Sequence, residues 1–244
     1  MSFDFIRAIK RPFTDFNKLG IGIIFLIVPI FNIITGFFVK GYRLEIARTA
    51  LNKKFEMPKW QNFWDLFLKG LLSWVIMIIY ILPAVILILL AVGKVLYNIL
   101  LQYGLSQGFS LNNKISDQLI QNTLLQNSAM IPLFTAGVII ALFASYLMPI
   151  AIVRYSEKYK FKSAFDLGVI FKKAFTGSYF IGILAIIAYS IIISLISSAL
   201  SLGFAAINIY YLTIILSLIV SSLSSFMILI TSYTIVGEVY SKIK

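Results

Sequence analysis

The stretch GYRLEIARTALNKKFEMPKWQNFWDLFLKGLLSWVIMIIYILP, residues 41 to 83, passes from a charged helical pattern through a band of aromatics into an uninterrupted apolar run. Tyr42 to Asn52 places Leu44, Ala47 and Leu51 along one side, with Arg43, Glu45 and Arg48 on the others, which predicts an amphipathic helix lying on a surface. Trp60, Phe63, Trp64 and Phe67 then recur at i, i+3, i+4 and i+7, the spacing of one helical face. Tryptophan rings are apolar with a polar N–H, so such a face fits the headgroup layer of a membrane. Asp65 and Lys69 have the i, i+4 spacing of a helical ion pair. From Leu71 to Val92 no charge occurs and only Pro83 interrupts, long enough to span a bilayer.

Working outward, the composition agrees with that reading. The 244 residues are 60% hydrophobic and 12% charged, with a mean hydropathy of +0.96; a soluble domain carries about 25% charged residues. The expectation is an all-α, polytopic membrane protein forming one integral domain over 1–244. The chain has no Cys and no His, which removes disulfides, thiolate chemistry and the commonest metal ligand and general base. No cofactor, metal site or catalytic residue is expected. The net charge of +12 sits beside apolar segments rather than in a separate basic domain, so membrane lipid is the expected partner and nucleic acid is not.

Residues 1–18 mix Phe3, Ile6, Phe13 and Phe16 with Arg7, Lys10, Arg11 and Lys18, the composition of an interfacial segment. Asp4 and Asp15 ahead of the apolar run, and the lack of a small-residue cleavage site after it, argue against a signal peptide. The apolar segment 19–39 holds Pro29 and Asn32 at its centre, where proline removes a helical hydrogen bond, so a break is expected. A basic region 40–70, the span 71–92 and a polar loop 94–128 follow, the loop with short helices near Leu96 to Leu101 and Leu119 to Leu125. The span 131–153, a second basic region 154–178, two spans at 179–202 and 210–236, and a tail 237–244 complete the chain. Ser163 and Asp166 have the spacing of a capping box. The short link between the last two spans makes them an antiparallel hairpin. Their serine faces, Ser190 to Ser201 and Ser217 to Ser225, either pack together or line a polar conduit.

Two topologies compete. If 19–39 crosses the membrane, the side with both basic regions carries 15 of the 21 Lys and Arg residues against 6; if it enters and returns, the split is 19 against 2. Positive charge accumulates on the cytoplasmic side, so the expected architecture is a bundle of four transmembrane helices plus an N-terminal broken or re-entrant segment, both termini cytoplasmic in the cell membrane; five or more spans is the alternative. A weak internal echo, Arg48 and Phe55 against Arg154 and Phe161, each before an aromatic-Asp-Leu element, hints at a two-part plan.

Gly41-Tyr42, Arg48, Met57-Pro58, Trp60 to Trp64, Asp65-Leu66-Phe67, Lys69-Gly70, Tyr80 and Pro83 resemble a prokaryotic membrane family, frequent in archaea, known as domain of unknown function 4013. Pro149, Arg154-Tyr155, Phe161 and Ala164-Phe165-Asp166 are similar to its second block. The likeness runs from about Lys10 to Glu238, with Glu56-Met57-Pro58 departing from the family's Leu-Pro. It implies a fold and no established activity.

For function, the first expectation is a non-enzymatic membrane module that engages anionic lipid and supports or recruits a protein partner or a second copy. A carrier or channel for a small neutral solute or lipid is the alternative, and the absence of charge within the spans argues against ion coupling. An enzyme using Asp65 and Asp166 as a carboxylate pair, with Arg48 and Arg154 holding phosphate, ranks last. The expected lipid or partner contacts are Arg43, Arg48, Trp60, Trp64, Arg154, Lys172 and Lys173. A reporter fused ahead of Met1 should remain inside the cell; its appearance outside would require five spans.

Overall fold

A computed structural model describes residues 3–27, 32–107, 117–207 and 209–243. Among them the secondary structure is helical throughout: α1 (Phe5–Lys10), a 3-10 turn (Arg11–Thr14), α2 (Phe16–Ile27), α3 (Asn32–Leu51), α4 (Phe63–Gln107), α5 (Asp117–Gln126), α6 (Met130–Lys158), a second 3-10 turn (Phe161–Phe165), α7 (Leu167–Ala174), α8 (Gly177–Ala205) and α9 (Tyr210–Lys242). Four stretches are long and apolar enough to cross a membrane: Phe63–Leu101, Met130–Lys158, Gly177–Ala205 and Tyr210–Lys242. They contain the four expected spans. The 45-residue α4 is about 68 Å long, so the polar region expected from residue 94 begins as a continuation of that helix, and Leu96 to Leu101 belong to it. Pro83 and Pro149 lie inside α4 and α6.

The chain divides into two compact units, one of Met1–Ile76 with Leu147–Lys244, the other of Met77–Tyr146. In the first, α3 is the central helix. Tyr42, Leu44, Ile46, Ala47 and Ala50 are fully buried, and α3 packs along α9. This corrects the surface helix expected at Tyr42 to Asn52. Of the charges that suggested exposure, Arg43 donates to Ser73 Oγ at 3.1 Å and lies over the Tyr233 ring, Glu45 pairs with Lys69, and Arg48 stays exposed.

Such burial needs backbones that touch. A Cβ on Gly41 would lie 1.9 Å from the Leu66 carbonyl oxygen, and one on Gly70 would lie 1.8 Å from that of Phe37, so α3 and α4 meet through reciprocal glycines. On the other side of α3, a Cβ at Gly237 of α9 would approach the Ala47 carbonyl oxygen to 2.7 Å. Small residues allow this approach where the surrounding lipid is as apolar as any side chain and offers no hydrophobic drive for association.

The segment 19–39 is two helices rather than one. Leu19 and Val39 share a buried cluster with Tyr42, Ile46, Met57, Phe226 and Ile230, and the Phe25 and Phe38 rings stack 5.5 Å apart at 14°. In a straight helix Leu19 and Val39 would be about 30 Å apart. The 12-residue α2 is about 18 Å long, short of a hydrocarbon core of about 30 Å. Pro29 itself lies outside the described residues. The N-terminal segment reaches the end of α9: Arg7 Nη2 is 2.8 Å from Glu238 Oε1, so the two chain ends meet in this unit.

The aromatic face expected from Trp60 to Phe67 is split. Asn62 has a φ of 54° and α4 begins only at Phe63, so Trp60 leaves that face and stacks flat on Tyr42, 3.9 Å apart at 3°. Trp64, 71% exposed, stacks on Phe67. The last two helices form the expected hairpin, with Ser190, Ser197, Ser201, Ser217 and Ser224 half-buried and Ser194, Ser198, Ser221 and Ser225 exposed. The serine faces therefore enter the contact only in part.

In the second unit, α4 and α6 cross at Gly137, where a Cβ would lie 2.7 Å from Ile88 Cγ1 and 3.2 Å from the Ala84 carbonyl oxygen. Asn98 Nδ2 donates to Asn127 Oδ1 at 2.7 Å, joining α4 to the turn between α5 and α6.

Replacing Gly41 or Gly70 with valine should cost about 3 kcal/mol or more, since backbone atoms cannot yield. Gly20→Ala, with nothing within 4 Å of the added Cβ, should be neutral or stabilising by up to about 1 kcal/mol. Thermal unfolding in detergent compares the three; equal melting temperatures would refute the close helix contact.

Candidate functional site

The expected contact residues lie in the first unit, on α3, α4, α6 and α7, with Trp60 in the connection after α3. Three clusters of charge organise them.

One centres on Tyr159, which follows α6 with a φ of 51°. Its hydroxyl donates to Glu45 Oε1 at 2.7 Å. Lys69 Nζ reaches the same Glu45 oxygen at 2.8 Å and Asp65 Oδ2 at 2.6 Å, the second being the i, i+4 pair expected from the sequence. The Arg48 guanidinium lies 4.8 Å and the Lys69 ammonium 4.0 Å from the Tyr159 ring centroid. Burial, then the Glu45 carboxylate, push the phenol's pKa up, so it remains a donor. The connection after α6 is thereby tied to α3 and α4.

A second cluster joins α6, α7 and α9. Arg154 Nη1 pairs with Glu157 at 2.6 Å and Nη2 with Asp166 at 2.9 Å. The Arg154 hydrogen bond holds the Asp166 carboxyl below its ordinary range. Asp166 stands at the N-cap of α7 without a side-chain capping bond, and Ser163 Oγ donates to the Lys160 and Arg154 carbonyl oxygens. The expected capping box is not formed, because Arg154 takes the carboxylate. Tyr240 donates to Glu157 at 3.1 Å. Lys173 Nζ donates to the carbonyl oxygens of Tyr240, at 2.9 Å, and Ile243, placing a cation on the C-terminal carbonyls of α9, where the helix dipole favours it.

The third cluster closes the chain ends. Glu238, 2% exposed, accepts from Arg7 and Lys242, both at 2.8 Å. Arg11 is 1% exposed. Its guanidinium donates to the Ile46 and Glu56 carbonyl oxygens and to the hydroxyls of Thr49 and Thr234. Its pKa is lowered by burial to about 10, so it stays charged at neutral pH while gripping only neutral oxygens.

The seven expected residues divide accordingly. Arg48, Trp64 and Lys172 are exposed. Arg154 and Lys173 are half-buried and held within the protein. Arg43 is 7% exposed, and Trp60 packs on the buried cluster with its Nε1 donating to the Lys18 carbonyl oxygen at 3.0 Å. Asp65 and Asp166, the pair considered for acid–base chemistry, are each engaged by their own cation. Sequence reasoning missed Tyr159, Tyr240, Arg11 and Glu238. The signal for Glu238 was available, a lone acid closing an apolar helix; nothing local marks Arg11 among its basic neighbours. Among the described residues no group of three or more Asp and Glu could hold a metal ion.

Seven carboxylates, Asp4, Asp15, Glu45, Asp65, Glu157, Asp166 and Glu238, are engaged by Arg7, Lys18, Lys69, Arg154 and Lys242. Lys10, Lys53, Lys54, Lys59, Lys158, Lys160, Lys162 and Lys172 are exposed and stand outside these salt bridges. The unit therefore presents an uncompensated cationic surface.

Four apolar helices carrying such a surface define a polytopic membrane protein of the helical-bundle class. The chain belongs to the family described as Protein of unknown function (DUF4013), whose model matches residues 22–202. The match takes in Arg43 to Lys173 and ends before Glu238 and Tyr240. No curated protein and no solved structure matches the chain.

Tyr159→Phe should lower stability by about 1–2 kcal/mol, the cost of leaving a half-buried carboxylate one donor short, whereas Lys160→Gln, at an exposed neighbour, should change little. Melting curves of the two variants in detergent check this; indistinguishable curves would show that Tyr159 does not tie the connection after α6 to α3.

Proposed function

We propose that the protein is a non-enzymatic membrane module whose cationic surface engages the anionic headgroups of the cytoplasmic leaflet and supports or recruits a partner there. The observation that carries this reading is the division of charge: seven of the nine acids are spent on internal pairs, while eight exposed lysines stand outside the salt bridges and, among the described residues, Glu56 is the one exposed acid outside them. A lysine close to an anionic membrane surface contributes about 1 kcal/mol of attraction. Exposed Trp64 and Phe63 suit the headgroup layer beside them. The meeting of the chain ends at Arg7 and Glu238 supports both termini on one side, and the excess of positive charge there supports the cytoplasmic side.

The test is the melting temperature of the detergent-solubilised protein with added phosphatidylglycerol or phosphatidylcholine. Phosphatidylglycerol should stabilise more, and the difference should shrink as salt screens exposed charge. Exchanging Lys53, Lys54, Lys160, Lys162 and Lys172 for glutamine should abolish it. Equal stabilisation by both lipids would overturn the reading.

A further inference from the structure

Among the described residues five basic side chains are half-buried: Lys18, Lys40, Lys69, Arg154 and Lys173. Four of them reach oxygen. Lys18 pairs with Asp15, Lys69 with Glu45 and Asp65, and Arg154 with Glu157 and Asp166, while Lys173 donates to the carbonyl oxygens of Tyr240 and Ile243. Lys40 reaches no oxygen among the described residues. Its ammonium lies 5.1 Å from the Phe37 ring centroid, and the charge acting on it is another cation, Arg43. Burial, then Arg43, hold its pKa below the ordinary lysine value. An ammonium drawn from water without an acceptor is costly, and a like charge beside it adds to the cost.

The surroundings of Lys40 are fixed by the crossing of α3 with α4. The backbone of Gly70 meets α3 at the Phe37 carbonyl oxygen and the Gly41 nitrogen, on either side of Lys40 in sequence. Phe37, Lys40 and Arg43 follow at intervals of three residues, each step turning about 60° round the helix. On the first side, the Phe37 ring meets those of Phe67 and Trp74 of α4, at 5.5 and 5.7 Å between centroids, and Trp74 is 41% exposed. On the other, Arg43 donates to Ser73 Oγ at 3.1 Å. Ser73 and Trp74 lie at the start of the apolar run that opens with Leu71. The two cations therefore stand where hydrocarbon gives way to headgroups, beside an aromatic residue suited to that layer. Basic pockets between membrane helices bind lipid headgroups.

We infer that Lys40, with Arg43 beside it, forms a binding site for one phosphate group carried by an anionic phospholipid of the surrounding bilayer. Phosphate supplies the oxygen acceptor that Lys40 otherwise goes without, and it meets the field of two positive charges. A zwitterionic lipid brings its own cation and gains less. The site lies apart from the eight exposed lysines and does not depend on their role.

The experiment compares the full-length protein in nanodiscs of phosphatidylglycerol and of phosphatidylcholine. Acetylation by acetic anhydride, read by peptide mapping, should be several-fold slower at Lys40 in phosphatidylglycerol, beyond any slowing at exposed Lys160. Glycerol phosphate added to the phosphatidylcholine discs should give no such protection. Native mass spectrometry supplies a second arm, on protein in which Lys53, Lys54, Lys160, Lys162 and Lys172 are already glutamine. One phosphatidylglycerol per chain should stay bound; Lys40→Gln should lose it and Lys40→Arg should keep it. Equal relative acetylation of Lys40 in the two lipids, or a lipid count unchanged in Lys40→Gln, would overturn the inference. Protection by glycerol phosphate alone would place the anion in solution and overturn the assignment to lipid.

Discussion

The first unit depends on backbones brought into contact at α3. Gly41 and Gly70 let α3 and α4 interlock, and Gly237 lets α9 close on the opposite side. With the separation fixed by main-chain atoms, the side chains have defined distances to reach, and the polar contacts follow: Arg43 to Ser73, Glu45 to Lys69 and Tyr159. In lipid, where apolar surface gains nothing by leaving its surroundings, close packing and hydrogen bonding are what drive helices together. The glycines therefore decide the arrangement more than the many leucines and isoleucines, which mainly meet hydrocarbon.

Charge is used for two purposes. Seven carboxylates are matched to cations, and some of these pairs join separate elements, as Arg154 ties α6 to the residue that opens α7. Away from them, lysines stand without acids. The first set holds the connections in place, and the second gives the surface its sign. Arg11 belongs to neither: its charge is spread over carbonyl and hydroxyl oxygens from α3, the following connection and α9, a cage that engages both terminal nitrogens, leaves Nε without an acceptor and does not neutralise the ion.

The spans and their order were legible because a run of some twenty apolar residues has few other readings. The break in the first segment was legible too: the proline pointed to it, and 19–39 forms two helices, α2 and α3, that pack on each other. What could not be read was burial at Tyr42 to Asn52. Arg43, Glu45 and Arg48 follow a solvent-facing pattern; Arg48 keeps to it, and only the distant partners Ser73, Tyr159 and Tyr233 reveal that the rest of the helix is covered. The helical spacing of Trp60 with Phe63 misled for a local reason, a left-handed Asn62 between them. Of the candidate contacts, exposure separates Arg48, Trp64 and Lys172 from Arg43 and Trp60, and that separation is set by tertiary packing.

The pairing of Arg7 with Glu238, together with α2 packing on α9, has a consequence for biogenesis. The opening segment meets α3 early, through α2 and Arg11, but its seat is completed only by α9, so during synthesis it stays half-seated until α9 has emerged. A chain that stops before α9 leaves Arg7 without Glu238 and Arg11 without Thr234, two cations short of partners in an otherwise apolar fold.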